Sequence, residues 1–422
     1  MPDNQLTAAQ VSNSSSGSLK ISVTSSLGLI PVVNATVTIS YTGDPNSPLM
    51  ELTTDSSGQT PTVELPAPPV ELSLEPENLE QPYSEYNIQV TAEGYDPIVV
   101  SGSEVLAGEL SLQPVRMNPV EDPQEPDSAI VIPDHTLYGD YPPKIPEDEI
   151  KPIADTGEIV LSRVVIPEYI IVHDGAPGDS TARNYWVRYR DYIKNVASCE
   201  IYATWPESAI YANVLAIMSF TLNRVFTEWY RNQGYDFTIT SSTAYDQKWI
   251  YGRNIFENID RLVDNIFANY LSRPGVIQPI FTSYCDGQRV TCQGLSQWGS
   301  KYLGDQGYSA IEIIRYYYGN DMFINTATAI SGVPSSYPGY ALGIGASGDK
   351  VRQLQTQLNR IARNYPAIPT VTADGIYGTE TAEAVRVFQG VFNLPQTGVT
   401  DYATWYEISE IYVGVSRIAE PG

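Results

Sequence analysis

The chain has 422 residues and a net charge of −25, and 42% of its residues are apolar. This length suggests about three domains, and the apolar fraction excludes a wholly disordered chain. The excess of acidic residues argues against the basic face that a nucleic-acid-binding protein needs, so no nucleic acid is expected as a partner. No run approaches about 18 consecutive apolar residues, which predicts no membrane span. Residues 1–20 lack a basic start and an apolar core, so no secretory signal peptide is expected.

Acidic residues are concentrated at the front of the chain. Residues 1–160 contain 25 acidic and 4 basic residues, a charge of −21, whereas residues 161–422 contain 24 and 20, a charge of −4. Solubility alone would account for such a distribution. The alternative is that the front of the chain repels polyanions and the rear does not.

Residues 18–116 are predicted to form an all-β sandwich. Polar and apolar residues alternate over residues 19–24 and 87–91, which is the period of a half-buried strand. Turn-forming sequences separate such stretches, as is typical of a small antiparallel sandwich. The sequences P-V-x-x-A-x-V (31–37) and T-D-x-x-G (54–58) resemble carboxypeptidase-regulatory-like modules. That resemblance implies a structural role.

Residues 117–160 are predicted to be an acidic linker. They contain eleven acidic residues, two basic residues and eight prolines. Such a composition buries little surface and favours an extended, polyproline-like chain. An exposed, extended chain is also what a protease needs. The linker is therefore either a plain spacer or a region of activation cleavage.

Residues 161–325 are predicted to be a mixed α/β (α+β) domain with long helices. Thr204 and Glu207 have the spacing of a capping box, which predicts that a helix begins there and ends by Gly234. Apolar residues at helical spacing predict a second helix over about 254–271, which must end before Pro274.

Residues 341–416 are predicted to form a compact helical unit. Val351, Leu354 and Leu358 share one face of a helix. The sequences G-D-K-V-R-Q-L-Q-T-Q-L (348–358) and D-G-I-Y-G-T-E-T (374–381) resemble the type-1 peptidoglycan-binding domain. That resemblance implies a three-helix fold and attachment to the bacterial cell wall.

The cysteines and histidines give a weak case for catalysis. A catalytic cysteine needs a nearby histidine, and the chain has only His135 and His173, with no active-site signature around Cys199, Cys285 or Cys292. A zinc amidase needs at least two histidines and a carboxylate, and His135 lies in the predicted linker. No metal or other cofactor is therefore expected. The state of Cys285 and Cys292 stays open: they could be two thiols, a local disulfide or half of a metal site.

Glu200 is the best candidate for acid–base catalysis. It lies in an otherwise uncharged stretch, residues 196–202, where burial would raise the pKa of its carboxyl toward the range of a general acid. Glu207 is a weaker candidate because the predicted capping box already accounts for it. On these residues alone, a partly exposed and non-catalytic Glu200 is the commoner outcome.

Longer motifs around Glu200 resemble the core of stage II sporulation protein D. The sequence YIKNVASCEIYATWPESAIYANVLAIMSF (192–220) is similar to the family pattern Y-x-x-x-V-x-x-x-E-M-P followed by E-A-L-K-A-Q-A-V-A-A-R-T-Y. The sequences G-L-S-Q-W-G-S (294–300) and I-I-R-Y-Y-Y-G (313–319) are similar to its G-M-S-Q-Y-G-A … I-L-x-H-Y-Y segment. The order of the four segments resembles that of the SleC-type spore cortex-lytic enzymes of clostridia.

The resemblance implies a lytic transglycosylase that cleaves the glycan strands of spore cortex peptidoglycan. Glu200 falls on the catalytic glutamate of the family and would first give a proton to the leaving oxygen and then take one from the sugar's own primary hydroxyl. Seven further residues are expected to bind the substrate by stacking or hydrogen bonding: Tyr202, Trp205, Tyr245, Asp246, Gln247, Gln297 and Trp298. The lysine and arginine that the family carries after the glutamate are Tyr211 and Met218 here, so the saccharide contacts must differ.

The resemblance also implies synthesis as a zymogen that resides in the spore, at the boundary of cortex and coat. An activating subtilisin-like germination protease would remove the front portion. Loss of the −21 charge of residues 1–160 would leave a nearly neutral enzyme that can approach an anionic cortex. Two alternatives remain open. One is a peptidoglycan hydrolase, either a muramidase or an N-acetylmuramoyl-L-alanine amidase, and the other is a non-catalytic protein that binds the cell wall.

Overall fold

The structure, a computed structural model, describes residues 15–26, 29–120, 129–151 and 163–417. Over these residues the chain is a multidomain α+β protein, with strands at the front, a mixed centre and helices at the end. Residues 121–128 and 152–160 of the predicted linker lie outside the described residues.

The front of the chain forms two β-sheets that enclose one apolar core. Its strands are β1 (Ser15–Ser25), β2 (Thr36–Tyr41), β3 (Asp44–Thr53), β4 (Val63–Ala67), β5 (Ser84–Thr91), β6 (Ile98–Val105), β7 (Leu110–Met117) and β8 (Ala129–Val131). One sheet has the order β3-β2-β5-β6-β8, and the other contains β7-β1-β4. Leu19, Ile21 and Val23 of β1 are buried in the core, as the period of two predicts. Because β1 pairs with β7 in parallel and β6 with β8 in parallel, the sheets are mixed rather than purely antiparallel.

The centre of the chain packs short strands around two long helices. The strands are β9 (Val165–Ile166), β10 (Tyr169–His173), β11 (Asn184–Arg188), β12 (Ile239–Thr240), β13 (Ile255–Phe256), β14 (Asn269–Ser272), β15 (Tyr284–Cys285), β16 (Leu295–Ser296), β17 (Phe323–Thr326) and β18 (Ala329–Ile330). The helices are α1 (Tyr189–Glu200), α2 (Glu207–Phe226), α3 (Glu257–Ile266), α4 (Gln297–Asp305) and α5 (Ala310–Tyr318). Val196 of α1 and Val214 and Ile217 of α2 are buried in the same core.

Two of the predicted helices have different boundaries in the structure. α2 begins at Glu207, after the extended residue Pro206, and has no side-chain cap. The Thr204 hydroxyl, expected in a capping box, instead bonds to the Ser73 hydroxyl of the front module at 2.8 Å. The second predicted helix is shorter than 254–271, because the residues at both of its ends pair in the strands β13 and β14.

α2 is, within the described ranges, the one helix whose length and apolar composition would suit a membrane span. Yet 89% of its most apolar 18-residue window is buried inside the protein.

A strand from the centre of the chain extends the smaller front sheet. β13 pairs antiparallel with β7, so that backbone hydrogen bonds join the two regions. Close to this edge the buried Arg253 guanidinium donates two hydrogen bonds, of 3.0 and 2.7 Å, to the buried Glu104 carboxylate. Asn254 exchanges two more hydrogen bonds with the Glu104 backbone. The front module and the centre are therefore held together by a shared sheet and a buried ion pair.

Residues 129–151 of the predicted linker pack against both neighbouring regions. β8 completes a sheet of the front module, and the buried His135 ring stacks on Tyr202 with 4.5 Å between centroids. Further along, Glu147 accepts two hydrogen bonds from the fully buried Arg224 guanidinium. The expectation that this stretch buries little surface is wrong for these residues, because composition does not reveal the partners that the fold supplies.

Three helices form the end of the described chain: α6 (Asp349–Ile361), α7 (Thr379–Val391) and α8 (Tyr402–Arg417). Val351, Leu354 and Leu358 of α6 are buried, as their spacing predicts. The helices contact the centre through charged groups as well as apolar ones. Arg190 of α1 pairs with Glu407 and Glu410 of α8.

Glu104→Ala is expected to lower the free energy of unfolding by about 3–5 kcal/mol, because it leaves the Arg253 guanidinium buried without its partner. The matched control is Glu383→Ala, which removes an exposed pair with Arg386 on α7 and should cost less than about 1 kcal/mol. Denaturant titration followed by circular dichroism measures both values. A loss for Glu104→Ala as small as that of the control would contradict the buried joint between the two regions.

Candidate active site

Glu200 is the last residue of α1, where the helix ends against other segments. The helix stops here because Ile201 adopts an extended backbone, with φ −138° and ψ 152°. The Cys199 carbonyl, in the last turn, accepts hydrogen bonds from the backbone N–H and the hydroxyl of Thr136, at 3.1 and 2.7 Å. The candidate acid is thus carried by a rigid helix whose end is fixed by the segment 129–151.

The Glu200 side chain is buried, with only 3% of the residue exposed. Oε1 accepts a hydrogen bond from the Lys248 backbone N–H at 2.7 Å. Oε2 has no hydrogen bond of good geometry to any described residue, although the Tyr284 hydroxyl is near enough to interact with the carboxylate. Burial raises the pKa of Glu200, and the Lys144 ammonium, the Tyr284 hydroxyl and Lys248 offset part of that rise. A carboxyl with a raised pKa keeps more of its acid form near neutral pH than an exposed glutamate does.

A cleft of about 200 Å³ opens beside Glu200. One part of its wall is built by residues 136–144, and another part by residues 284–290 with Gln297. Charges of both signs line it, namely Lys144, Arg289, Asp140 and Asp286. A concave site with a few converging polar groups suits a polar substrate.

A second, smaller cavity of about 40 Å³ lies between α1 and α8. Arg188, Arg190 and Glu410 line it, and both arginines already pair with Glu410. The cleft at Glu200 is therefore the better candidate for chemistry.

Residues 284–297 of the cleft wall form a loop that is held by hydrogen bonds within the loop itself. The Asp286 carboxylate accepts hydrogen bonds from the backbone N–H groups of Arg289 and Val290, at 2.9 and 2.8 Å. β15 pairs with β16, and β16 leads into α4, whose first residue is Gln297. The fold therefore brings the turn 294–300 to the same cleft as Glu200.

The cysteines, left open by the sequence, are resolved by the structure. Cys285 and Cys292 form a disulfide that closes the cleft loop. Cys199 is a free, buried thiol, and burial raises its pKa to about 12, which makes it a poor nucleophile. Within the part of the chain that the structure describes, no group of three or more His, Cys, Asp or Glu residues could hold a metal ion.

Three aromatic residues expected to stack on sugars lie in the core instead. The Trp205 and Trp298 rings are 4.9 Å apart, and Tyr202 packs edge-on against both at 6.1 Å. All three are buried, and the Trp205 Nε1–H donates to the Ser73 carbonyl of the front module at 3.0 Å. The rings contact one another and do not line the cleft, contrary to the expectation.

Of the remaining predicted substrate-binding residues, only Gln297 lines the cleft. Asp246 is buried and bound to the Arg224 guanidinium at 2.7 Å. Gln247 is also buried and donates to the Tyr284 hydroxyl at 3.1 Å, so it positions a residue of the cleft without lining it. Tyr245 is 38% exposed but lies outside the cleft.

Among the cleft residues that sequence reasoning missed are Lys144, Tyr284, Asp286 and Arg289. One available signal was Lys144 itself, one of only two bases in the acidic stretch 117–160. The other three lie in or beside the loop between Cys285 and Cys292, where pairing of the cysteines would have marked an ordered surface loop.

Glu200→Gln is expected to stabilise the protein by an amount that grows with pH. The folded-state pKa of Glu200 is raised, so the wild-type protein loses stability as pH rises through that value, and glutamine does not titrate. Calorimetry should show little difference in Tm at about pH 4 and a gain of a few degrees at about pH 8. Glu207→Gln, on the exposed first turn of α2, is the matched control. A pH-independent difference would mean that the Glu200 pKa is ordinary.

Comparisons with known proteins identify one region of the chain. Residues 347–408 match the family model described as "Putative peptidoglycan binding domain". No curated protein is similar enough to this chain to count as a relative.

Similar solved structures cover only part of the chain. They include the Bacillus anthracis TIE protein, at 19% identity over 25% of this chain and 18% of that chain, with a TM-score of 0.18. The minor pilin GBS52 of Streptococcus agalactiae has 14% identity over 27% of this chain and 49% of that chain, with a TM-score of 0.18. Chlorocatechol 1,2-dioxygenase from Pseudomonas putida has 12% identity over 28% of this chain and 59% of that chain, with a TM-score of 0.16.

These structural similarities are too low to carry a conclusion, and this chain spans only 18% to 59% of the length of those proteins. What the comparisons do support is a cell-wall-binding element: the helical end of the chain carries a peptidoglycan-binding domain at residues 347–408.

Proposed function

We propose that this protein is a lytic transglycosylase that cleaves the glycan strands of spore cortex peptidoglycan during germination. The observation that carries the proposal is the buried Glu200 carboxyl beside a polar cleft, with Oε2 lacking a hydrogen bond of good geometry to any described residue. The peptidoglycan-binding domain would hold the same polymer, and its helix α8 is ion-paired to α1, the helix that ends at Glu200. The resemblance to stage II sporulation protein D supplies the reaction type and the biological setting.

A single carboxyl is enough for this reaction. In its acid form, Glu200 would protonate the glycosidic oxygen as the bond to C1 of muramic acid breaks. The resulting carboxylate would then take the proton from the primary hydroxyl of the same sugar, whose oxygen closes an anhydro ring on C1. The proton returns to Glu200 and no water is consumed. Burial of the carboxyl suits such a reaction, since water would divert the intermediate to hydrolysis.

A hydrolase is the second candidate, and one observation favours it. Asp140 and Asp286 line the same cleft as Glu200, and glycosidases that use water generally need a second carboxylate. Asp286 is the poorer of the two, because both of its oxygens accept backbone N–H groups of its own loop. A non-catalytic wall-binding protein is the third possibility.

Glu200→Gln is expected to reduce lysis of purified cortex by about 10²–10⁴-fold, because an amide cannot give and retake a proton. Binding to insoluble peptidoglycan should be unchanged, since the peptidoglycan-binding domain is not altered. Turbidity of decoated spores measures lysis, and mass spectrometry of the wild-type products should find anhydro-muramic ends.

The other outcomes separate the candidates. Undiminished lysis by Glu200→Gln would remove Glu200 from the mechanism. Products that end in reducing muramic acid, and that no longer form in the Asp140→Asn variant, would identify a muramidase. Cleavage of the bond to the peptide would identify an amidase. If the protease-treated wild-type protein binds the wall but lyses no cortex, the non-catalytic alternative remains.

We also propose that the protein is made as a zymogen and is activated in the spore, at the boundary of cortex and coat, by a subtilisin-like germination protease. The concentration of negative charge at the front of the chain supports this proposal. Residues 1–128, which precede the segment that lines the Glu200 cleft, contain 18 acidic and 2 basic residues, and an anionic substrate would repel that portion. Activation must also overcome the contacts between the front module and the centre. These are the pairing of β13 with β7 and the buried ion pair of Arg253 with Glu104. A cut in the linker breaks none of these contacts, so activation by loss of charge needs dissociation as well as cleavage.

A chain cut at a protease site inserted between residues 120 and 129 is therefore expected to elute from a sizing column as one two-piece complex. The pieces should separate only in denaturant, because the shared sheet and the buried ion pair survive the cut. The same inserted chain without protease treatment is the control. Separate elution of the two pieces in plain buffer would show that the joint is weak, and would favour activation by simple shedding of charge.

A further inference from the structure

Lys144 enters the Glu200 cleft from outside the predicted catalytic region of 161–325. It is partly buried, and its Nζ donates to the Asp246 carbonyl at 2.8 Å. The ammonium lies 4.0 Å from the centroid of the Tyr284 ring, whose hydroxyl is beside Glu200. Desolvation lowers the pKa of Lys144, and the Glu200 carboxylate is the strongest of the charges that oppose this. The two side chains line one cleft and act on each other.

The segment that carries Lys144 is built into the centre of the chain. The Ile145 N–H donates to the Ala244 carbonyl at 2.7 Å, and the Phe281 N–H donates to the Glu149 carbonyl at 2.9 Å. Between these points Glu147 neutralises the buried Arg224. Arg224 also pairs with Asp246, so Glu147 is one of two carboxylates on this buried guanidinium. Residues 144–151 therefore behave as part of the fold around Glu200, and Lys144 is held in the cleft by backbone contacts on its own segment.

The reaction needs Glu200 to exist in two forms. A carboxyl buried without a nearby positive charge holds its proton too tightly to be a good acid, because the carboxylate that it leaves is poorly solvated. Among the described residues that act on Glu200 or line its cleft, the ionisable ones are Lys144, Lys248, Tyr284, Tyr192, Cys199, Asp140, Tyr141, Asp286 and Arg289. Lys144 is the strongest positive influence in this set.

We propose that Lys144 is a positioning residue for the acid–base step of Glu200. Its ammonium stabilises the carboxylate that forms when Glu200 gives its proton to the glycosidic oxygen, until the sugar hydroxyl returns a proton. The inference rests on the proposed function and extends the site to a segment that the sequence places in a linker.

The test is the pH dependence of glycan release by Lys144→Met, measured on the same protease-treated full chain as the wild type. Methionine keeps the apolar stem near Tyr284 and removes the charge. The positive charge of Lys144 lowers the Glu200 pKa. Its removal therefore raises that pKa, and the acid form of Glu200 persists to higher pH. The alkaline limb of the profile should move up by about one pH unit, and the rate at the optimum should fall by about tenfold.

Two controls distinguish a charge effect from a structural one. Lys144→Arg retains the charge and should restore the wild-type limb. Lys151→Met removes a lysine of the same segment. Lys151 pairs with Glu147 and is not among the groups that act most strongly on Glu200, so the limb should stay in place. A Lys144→Met limb equal to that of the wild type, in an active enzyme, would overturn the proposal and leave the proposed function intact.

A readout without activity separates the two hypotheses. Infrared difference titration of the untreated full chain follows the Glu200 carboxyl, identified by subtraction of Glu200→Gln. Its midpoint should be higher in Lys144→Met than in the wild type and unchanged in Lys144→Arg. An equal midpoint in all three proteins would overturn the coupling, whether or not the protein proves to lyse peptidoglycan. A wild type without lytic activity would defeat the proposed function, and the midpoint would still decide the coupling.

Discussion

The fold depends on the rule that a charge removed from water must meet an opposite charge. Three buried guanidinium groups satisfy it with carboxylates from distant parts of the chain. Arg253 pairs with Glu104 of the front module. Arg224 pairs with Glu147 of the predicted linker, and Arg190 with Glu410 of the last helix. Loss of Glu104 would leave Arg253 buried without a carboxylate, whereas Arg224 and Arg190 each pair with further carboxylates, Asp246 for the first and Asp264 and Glu407 for the second. These ion pairs join four segments of the chain.

Glu200 departs from this rule, and the departure is what marks it as a site. It is buried like the structural carboxylates, but Oε2 has no well-formed hydrogen bond to a described residue. Lys144, the positive charge that acts on it most strongly, makes no ion pair with it among the described contacts. Asp246 shows the contrast. It is equally buried, yet its oxygens are taken by Arg224, Tyr230 and Thr240. A carboxyl left free to exchange a proton at a cleft fits acid–base chemistry, whereas Asp246 fits a structural role.

The parts of the structure that follow local rules were predictable from the sequence. The alternation of β1 and the apolar face of α6 were recognised, because each pattern reports burial of a single element. Residues 129–151 were not, since their burial depends on partners such as Arg224 and Tyr202 that lie far along the chain. For the same reason Trp205 and Trp298 were assigned to sugar, while the fold uses them to fill a core shared with the front module. Position 200 was singled out through its motif, but only the fold brings Lys144 and the loop closed by Cys285 to it.

The claim on which everything functional depends is that the cleft between residues 136–144 and 284–297 receives a glycan strand at Glu200. The most direct measurement is a crystal structure of the full-length Glu200→Gln protein soaked with a peptidoglycan oligosaccharide. The result that we expect is a glycosidic oxygen within hydrogen-bonding distance of the side-chain amide that replaces the Glu200 carboxyl, with the saccharide between these two parts of the cleft wall. Density for the saccharide on the peptidoglycan-binding domain alone, with an empty cleft at residue 200, would contradict it.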